Sequence, residues 1–293
     1  MNYLLALLLS LFGFGDPPAS SAVAAAEVGG AGAVSIPLSE GAGGLPLPAV
    51  TPARGDDPPL VVIDAGHGGR DPGAIGEAAG VQEKDVTLAL AKAVRDALAT
   101  TGRVRVALTR EDDRFLPLDQ RYAIARRLGA DLFVSIHADA APNNDAARGA
   151  TIYTLSEVAS DQEAAQLAQR ENAADAVGGA AMSQDAGVNL ILIDLAQRES
   201  METSARFAEI LYREAAALLN FQPTWHRFAA FIVLKAPDVP SILFEAGYIT
   251  NEADARYLAS PEGRRDIATG MRRAIEAHFA GRFLEGDRAR EAP

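Results

Sequence analysis

Two histidines and two glutamates of the chain lie where strand-like segments of the sequence end. His67 comes shortly after the apolar run LVVI, His137 directly follows LFVSI, and Glu245 directly follows SILF. Glu83 opens a helical segment after the loop that begins at His67. In sheets built from alternating strands and helices, ligands bind outside the carboxyl ends of the strands. We therefore expect these four side chains to meet at one rim of a sheet.

Two imidazoles and one carboxylate form a hydrolytic zinc site whose fourth position stays open for water. A second carboxylate outside the ligand set can then accept the proton of that water. Asp64, which precedes His67 by three residues, could accept a hydrogen bond from an imidazole N–H. The sequence contains no cysteine, so any metal must bind to histidine, aspartate or glutamate.

Each of these residues also has a structural interpretation. A single histidine at a strand end is commonly a hydrogen-bonded structural residue. Glu83 could be a first-turn acid favoured by the helix dipole, and Glu245 could be an ordinary salt-bridge partner. The joint placement of all four residues favours the metal site. The other two histidines, His226 and His278, are expected to be surface or packing residues.

Composition and missing motifs exclude several other functions. The 293 residues carry a net charge of −12, and the pI is about 4.8, which argues against nucleic acid or an anionic lipid surface as the main partner. The loop GHGGRD lacks the third glycine of the dinucleotide fingerprint, and no GK[ST] follows it. A serine nucleophile elbow is also missing.

The segments that must position these residues alternate between strand and helix patterns. The sequence predicts strands at Leu60–Ile63, Val104–Thr109, Leu132–Ile136, Ala150–Leu155, Phe231–Leu234 and Ser241–Phe244. It predicts helices at Asp85–Ala99 and Leu118–Leu128, which end before Gly102 and Gly129, a mostly helical region at Ser160–Leu219, and a final helix at Arg264–Phe279. This order predicts a single α/β domain with a central, twisted, mostly parallel sheet and helices on both faces.

The two ends of the chain have a different character. Residues 1–24 begin with a short apolar run and end in Ala22-Val23-Ala24, which is typical of an export signal. An Ala/Gly/Pro-rich linker is predicted at 25–58, the folded domain at 59–280 and a flexible tail at 281–293. We therefore expect a periplasmic protein that has no stable membrane span after processing.

Four motifs resemble a known family when they are taken together and in order. VVIDAGHGGRDPGAIG, EKDVTLALA, ADLFVSIHADA and VLKAPDVPSILFEAGYITN are similar to the zinc-dependent N-acetylmuramoyl-L-alanine amidases of the AmiC type, over about residues 59–280. The resemblance implies Zn²⁺ on His67, Glu83 and His137, with Glu245 as the catalytic glutamate. It also implies cleavage of peptidoglycan at the amide between the lactyl group of N-acetylmuramic acid and the L-alanine of the stem peptide, in wall remodelling and daughter-cell separation.

The resemblance further implies regulation. Autoregulated relatives carry a helical insertion at the position of residues 157–195, and a glutamate of that insertion contacts the zinc until a partner removes it. Glu171 matches this glutamate, although it could also be a solvated helical acid. The partner implied is an activator protein of the division machinery. The 25–58 linker is too short for the extra targeting domain of several relatives, so septal recruitment is not implied.

Two other functions are compatible with the same motifs. One is a peptidoglycan-binding module that retains the fold without catalysis, which the four intact site positions argue against. The other is a different zinc peptidase of peptidoglycan, which analysis of the products would distinguish.

Overall fold

A seven-stranded sheet forms the centre of the computed structural model, which describes residues 46–76, 80–141, 144, 146–179 and 190–281, the side chains of 190–194 excepted. The strands of this sheet and of a separate pair, β3 and β4, are β1 Val50–Thr51, β2 Leu60–Ala65, β3 Ile75–Gly76, β4 Val81–Gln82, β5 Arg105–Leu108, β6 Leu132–Asp139, β7 Ala150–Leu155, β8 Phe221–Ala229 and β9 Ser241–Tyr248. The helices are α1 Glu83–Thr101, α2 Leu118–Leu128, α3 Gln162–Asn172, α4 Ala174–Val177, α5 Leu190–Ala215, α6 Glu252–Ala259 and α7 Pro261–His278, with a 3₁₀ helix at Ile232–Leu234.

The sheet has the order β1-β5-β2-β6-β9-β7-β8. The four central strands β5, β2, β6 and β9 are mutually parallel, while β1 and β7 run antiparallel to their neighbours β5 and β9. Every residue of β2, β6 and β9 is buried, as expected for parallel strands that are covered on both faces. The short strands β3 and β4 pair separately, beside the loop that follows β2.

Helices cover both faces of this sheet, which confirms the predicted fold class. One hydrophobic core packs α1, α5 and α7 against the sheet through residues such as Leu90, Phe207 and Ile275. The other packs α2, α3 and the 3₁₀ helix through residues such as Ile124 and Leu167. Helices α1 and α2 end at the predicted glycines, both in the left-handed conformation that closes a helix. Within the described residues, no helix is long and apolar enough to cross a bilayer.

Several predicted elements are wrong or incomplete. The apolar run Phe231–Leu234 is not a strand, because its last three residues form the 3₁₀ helix. The preceding segment, Phe221–Ala229, is the strand β8 instead, with an exposed, mixed polar pattern and a proline that suit a sheet edge. The predicted linker extends too far, since Val50–Thr51 pairs with β5 as strand β1. Helix α6 was not predicted.

The predicted signal peptide, the linker up to residue 45 and the tail from residue 282 lie outside the described residues. So does the part of the predicted helical insertion between residues 180 and 189. Its flanks contain helices α3, α4 and α5.

Two buried arginines hold the backbone of the loop that leaves β2. Arg110 donates from Nε to the Ala65 carbonyl at 3.0 Å and from Nη2 to the Gly66 carbonyl at 2.8 Å. Arg121 donates from Nη1 to the Ala65 carbonyl at 2.8 Å and from Nη2 to the His67 carbonyl at 2.9 Å. Three successive carbonyl groups of the loop are therefore satisfied inside the protein.

The charge of Arg121 is balanced by Asp64, a fully buried residue of β2. Its Oδ1 lies 3.1 Å from Arg121 Nη1 and accepts a hydrogen bond from the Thr109 hydroxyl, while Oδ2 accepts one from Ser135. Burial alone would raise the pKa of Asp64, but Arg121 and the two hydroxyls outweigh it and lower the pKa. The loop is thus anchored to the sheet by a compensated buried ion pair.

We predict that Arg121→Met lowers the free energy of unfolding by about 3 kcal/mol or more, because it leaves the Asp64 carboxylate buried and unpaired. The matched control is Arg126→Ala on the same helix, which removes a surface ion pair with Asp238 and should cost less than about 1 kcal/mol. Urea unfolding measures both. Equal losses for the two variants would contradict the anchoring role of Arg121.

Candidate metal centre

His67 lies in the loop after β2 with a positive φ of 59°, a conformation that is unfavourable for a residue with a β-carbon. The bond from Arg121 to its carbonyl stabilises this conformation. Its Nδ1 lies 2.8 Å from Asp71 Oδ2. A carboxylate only accepts, so Nδ1 carries the proton and Nε2 is left free to bind a cation. Nε2 is buried and makes no hydrogen bond to any of the described residues.

His137 lies near the end of β6, which continues to Asp139 and is therefore longer than predicted. Its ring packs on Gly66, where an added β-carbon would lie 2.5 Å from the ring, so only glycine fits there. The Nδ1 atom of His137 lies 3.2 Å from Glu83 Oε1. The imidazole of His67 faces the same Glu83 carboxylate, so both rings point toward one group.

Glu83 is the first residue of α1, and backbone groups fix its orientation. Its Oε2 accepts from the Ala74 N–H at 2.8 Å, and its Oε1 accepts from the Ala138 N–H at 2.9 Å. The same Oε1 lies 3.0 Å from His67 Nε2. The structure thus brings His67, Glu83 and His137 together, as the sequence predicts.

Glu171 reaches the same point from the last turn of α3. Its Oε2 lies 3.3 Å from His67 Nε2 and 3.1 Å from His137 Nδ1. Ligand atoms of His67, His137 and Glu171 all fall within 4.8 Å of one another. Ligands of a tetrahedral ion at about 2.1 Å are roughly 3.4 Å apart, so the observed separations fit a small divalent cation.

The electrostatics of this cluster also favour a cation. Burial would lower the pKa of both imidazoles, yet the facing carboxylates raise the pKa of His67 well above its usual value, and that of His137 to about 9. Burial would raise the pKa of both carboxyl groups, yet the imidazoles lower the pKa of Glu83 to about 2 and that of Glu171 well below its usual value. Two buried anions at this distance require positive charge between them, which a metal can provide.

Glu245 lies on β9, directly opposite His137 in the register of the two parallel strands. Its carboxyl group is buried, and neither oxygen has a hydrogen-bond partner within the described part of the chain. Burial raises the pKa of Glu245 well above its usual value, and the neighbouring Asp139, Glu83 and Glu171 raise it further. Such a group can accept and return a proton.

Polar contacts hold α3 over the cluster. Arg170 donates to Asp139 Oδ1 at 2.8 Å. Asn172 donates to the Ala230 carbonyl at 2.8 Å and accepts from the Ile232 N–H at 2.8 Å.

The segment that follows α3 is also held against the site. Asp175 accepts from the Leu118 N–H at 2.9 Å, and Arg70 donates to the Gly178 carbonyl. Gly178 packs so closely on the Phe115 ring that an added β-carbon would overlap it. The helix and its continuation thus cover the cluster from one side.

The remaining sequence predictions have mixed outcomes. Asp64 does not bind an imidazole, because its oxygens are occupied by Arg121, Thr109 and Ser135. The other two histidines are structural residues, as predicted: His226 shares a hydrogen bond with Thr154 at 3.0 Å, and the ring of His278 packs edge-on against Phe207.

Sequence reasoning did not predict Asp71 as the hydrogen-bond partner of His67. Its position four residues after His67 was an available signal, because a loop of this length can fold back on itself. Sequence reasoning also missed the two arginines that hold the loop. Their distance from the loop in sequence gave no local signal.

Comparison with known proteins agrees with this geometry. A sequence model of the N-acetylmuramoyl-L-alanine amidase family matches residues 61–277. The chain is 41% identical over 222 residues to the amidase AmiA of Salmonella typhimurium, with 75% of this chain and 76% of the relative covered. It is 36% identical over 226 residues to the amidase AmiC of Escherichia coli O6:H1, where 77% of this chain spans only 54% of the relative.

Solved structures with the same fold are also amidases. The catalytic domain of CwlV from Bacillus (Paenibacillus) polymyxa var. colistinus matches with a TM-score of 0.57 and 27% identity, over 76% of this chain and 98% of that one. AmiC2 of Nostoc punctiforme matches with a TM-score of 0.54 and 30% identity, over 76% and 97% of the two chains. The chain therefore belongs to the N-acetylmuramoyl-L-alanine amidase family.

Proposed function

We propose that this protein is a zinc-dependent peptidoglycan amidase that is held in an inhibited state by its own helix α3. The bond cut is the amide between the lactyl group of N-acetylmuramic acid and the L-alanine of the stem peptide. The observation that carries the proposal is the convergence of His67, Glu83, His137 and Glu171 on one point beside the buried Glu245. Family membership supports the reaction, and the donor set supports the metal.

His67, Glu83 and His137 are the proposed zinc ligands. Asp71 keeps the proton of His67 on Nδ1, and two backbone N–H groups orient Glu83, so the donor atoms are positioned before the metal binds. When bound there, Zn²⁺ would supply Lewis acidity and a water nucleophile at neutral pH.

Glu245 is the proposed proton carrier of the reaction. Its carboxylate takes the proton released by the attacking water and gives it to the nitrogen of the departing alanine. Burial beside other acids suits this role, because a carboxyl group with a raised pKa can hold a proton near neutral pH. Its oxygens are not committed to other hydrogen bonds within the described residues.

Glu171 is the proposed inhibitory ligand. Its carboxylate lies within 3.3 Å of both imidazoles and would compete with water and substrate for a metal ion held by His67, Glu83 and His137. Release requires α3 to leave the rim of the sheet. We propose that an activator protein of the division machinery binds the region 157–195 and stabilises the released state.

Export and cellular role complete the proposal. The apolar run and the Ala-x-Ala pattern of residues 1–24 support a signal peptide and a periplasmic location, where peptidoglycan is accessible. Wall remodelling and separation of daughter cells are the processes that such an activity would serve.

We predict that the full chain binds about one zinc per molecule, that His137→Ala loses this zinc, and that Glu245→Gln retains it. Turnover of Glu245→Gln should fall by roughly 100-fold or more, because the proton carrier is removed while the ligands remain. Metal analysis measures the zinc, and mass spectrometry of digested peptidoglycan measures stem peptides with a free N-terminal alanine.

Several outcomes would contradict this assignment. Full activity of Glu245→Gln would exclude its role as the proton carrier. Zinc-dependent products cut within the stem peptide would indicate a peptidase, and peptidoglycan binding without any product would indicate a binding module.

We predict that Glu171→Ala raises the basal amidase rate by about tenfold or more, because the fourth zinc position becomes open to water. The control is Gln169→Ala, an exposed position of the same helix that does not face the cluster. Initial rates on purified peptidoglycan at equal zinc content measure both variants. A Glu171→Ala rate no higher than that of Gln169→Ala would rule out inhibition by this carboxylate.

A further inference from the structure

A polar groove of about 590 Å³ opens beside the metal centre, between α3 and the strands β7, β8 and β9. Residues that line it include Asp139, Tyr153, Arg170, Arg227 and Tyr248. Asp139 lies two residues beyond His137 on β6, so this end of the groove is next to the metal centre. It extends from there to the edge strand β8.

Arg227 is the charged residue of the groove with an unused donor. Its side chain is only 12% exposed, and its Nε makes no hydrogen bond to any residue that the structure describes. Its Nη1 lies 2.6 Å from Glu163 Oε2 and 3.4 Å from Asp161 Oδ1, both of them at the start of α3. A guanidinium binds a carboxylate best through two parallel N–H groups. On the side of Nε this pair is Nε–H and an Nη2–H, whereas Glu163 and Asp161 contact Nη1.

The groove links Arg227 electrostatically to the catalytic end. Burial raises the pKa of both the Tyr153 and the Tyr248 phenols, the acids Glu245 and Asp139 raise it further, and Arg227 lowers it. Both phenols line the groove together with Arg227.

Helix α3 indicates the distance between the metal centre and Arg227, because it contacts both. Its Glu171 contacts the imidazole of His67, and its Glu163 contacts the guanidinium of Arg227. Eight residues of α-helix rise roughly 12 Å. An extended peptide covers about 3.3–3.6 Å per residue, so roughly 12 Å spans at least three residues, and two are too short.

We infer that Arg227 binds the side-chain carboxylate of the third residue of the stem peptide, and that the enzyme therefore prefers a dicarboxylic diamino acid there over lysine. This inference rests on the proposed amidase function, because it places the scissile amide at the metal centre. In the resting state Glu163 contacts the same guanidinium at Nη1, as Glu171 occupies the position of the reacting group.

Binding of two synthetic tripeptides to the zinc-loaded full chain carrying Glu171→Ala, which removes the proposed inhibitory carboxylate, tests the inference, and the Arg227 and Arg148 variants are made in the same chain. The ligands are L-Ala-γ-D-Glu-meso-diaminopimelate and L-Ala-γ-D-Glu-L-Lys, which share the glutamate carboxylate and differ at the third residue. Calorimetry should give an affinity for the diaminopimelate peptide that is roughly tenfold or more higher. Arg227→Met should abolish that preference without changing the affinity for the lysine peptide.

Arg148→Met is the matched control, since Arg148 is an exposed arginine that lines the same groove. It should retain the preference. If Arg227→Met does not fold, Arg227→Lys takes its place, because lysine keeps the positive charge but has no second N–H group beside it. The preference should then fall by at least about threefold.

Equal affinity for the two peptides, no binding of either, or an unchanged preference in Arg227→Met would overturn the inference. A preference that disappears in Arg148→Met instead would also overturn it. Digestion of peptidoglycan by the unmodified chain, run in parallel, tests the amidase function separately. Active enzyme without a third-residue preference would refute the role of Arg227 alone.

Discussion

The geometry of the histidine–glutamate cluster depends on two buried guanidinium groups that hold the carbonyls of Ala65, Gly66 and His67. A positive φ at a residue with a β-carbon costs roughly 1–2 kcal/mol, and this backbone also turns its carbonyl groups into the protein. A guanidinium carries five N–H donors in a fixed fork, so one side chain can bind several carbonyls at once. Burial and the neighbouring Arg121 lower the pKa of Arg110 to about 10, so it is still a cation at neutral pH. The His67 imidazole is thus positioned by the protein alone.

The acids around the cluster fall into two groups whose pKa values are shifted in opposite directions. The imidazoles outweigh burial at Glu83 and Glu171 and keep both ionised, which suits a ligand. Burial and neighbouring acids raise the pKa of Asp139 to about 7, although Arg170 opposes this, and raise the pKa of Glu245. Similar side chains therefore have different chemistry because of what each one faces.

The sequence predicts those strands whose burial on both faces is visible as an apolar run. The runs of β2, β6, β7 and β9 are apolar because both faces of these strands are covered, and that pattern is visible without the fold. Strand β8 is half-exposed at the edge of the sheet and contains a proline, so it has no such pattern. The run at 231–234 is apolar because it packs in the second core, although its backbone is a 3₁₀ helix.

The same distinction applies to the site. His67, Glu83, His137 and Glu245 lie at the ends of predictable elements, and the topology of parallel strands then brings them together. Asp64 and Asp71 could not be assigned their partners in this way. Which of two nearby acids binds an imidazole depends on the direction of the loop, and Arg121, 54 residues away from the His67 carbonyl, helps to determine it.

The contacts of α3 suggest how a helix can block the site and still be released. Apart from the buried contacts of Glu171 with the two imidazoles, the ion pairs of α3 have one partly exposed partner, such as Arg170 at 43% or Glu163 at 75% side-chain exposure, and pairs of this kind contribute about 1 kcal/mol or less each. Burial of Leu167 adds about 1.5–3 kcal/mol. Shifting a population from 99% closed to 99% open needs about 5.5 kcal/mol of preferential binding, which one protein interface can supply. If α3 inhibits the enzyme as proposed, these contacts are few enough for a single partner to release the helix.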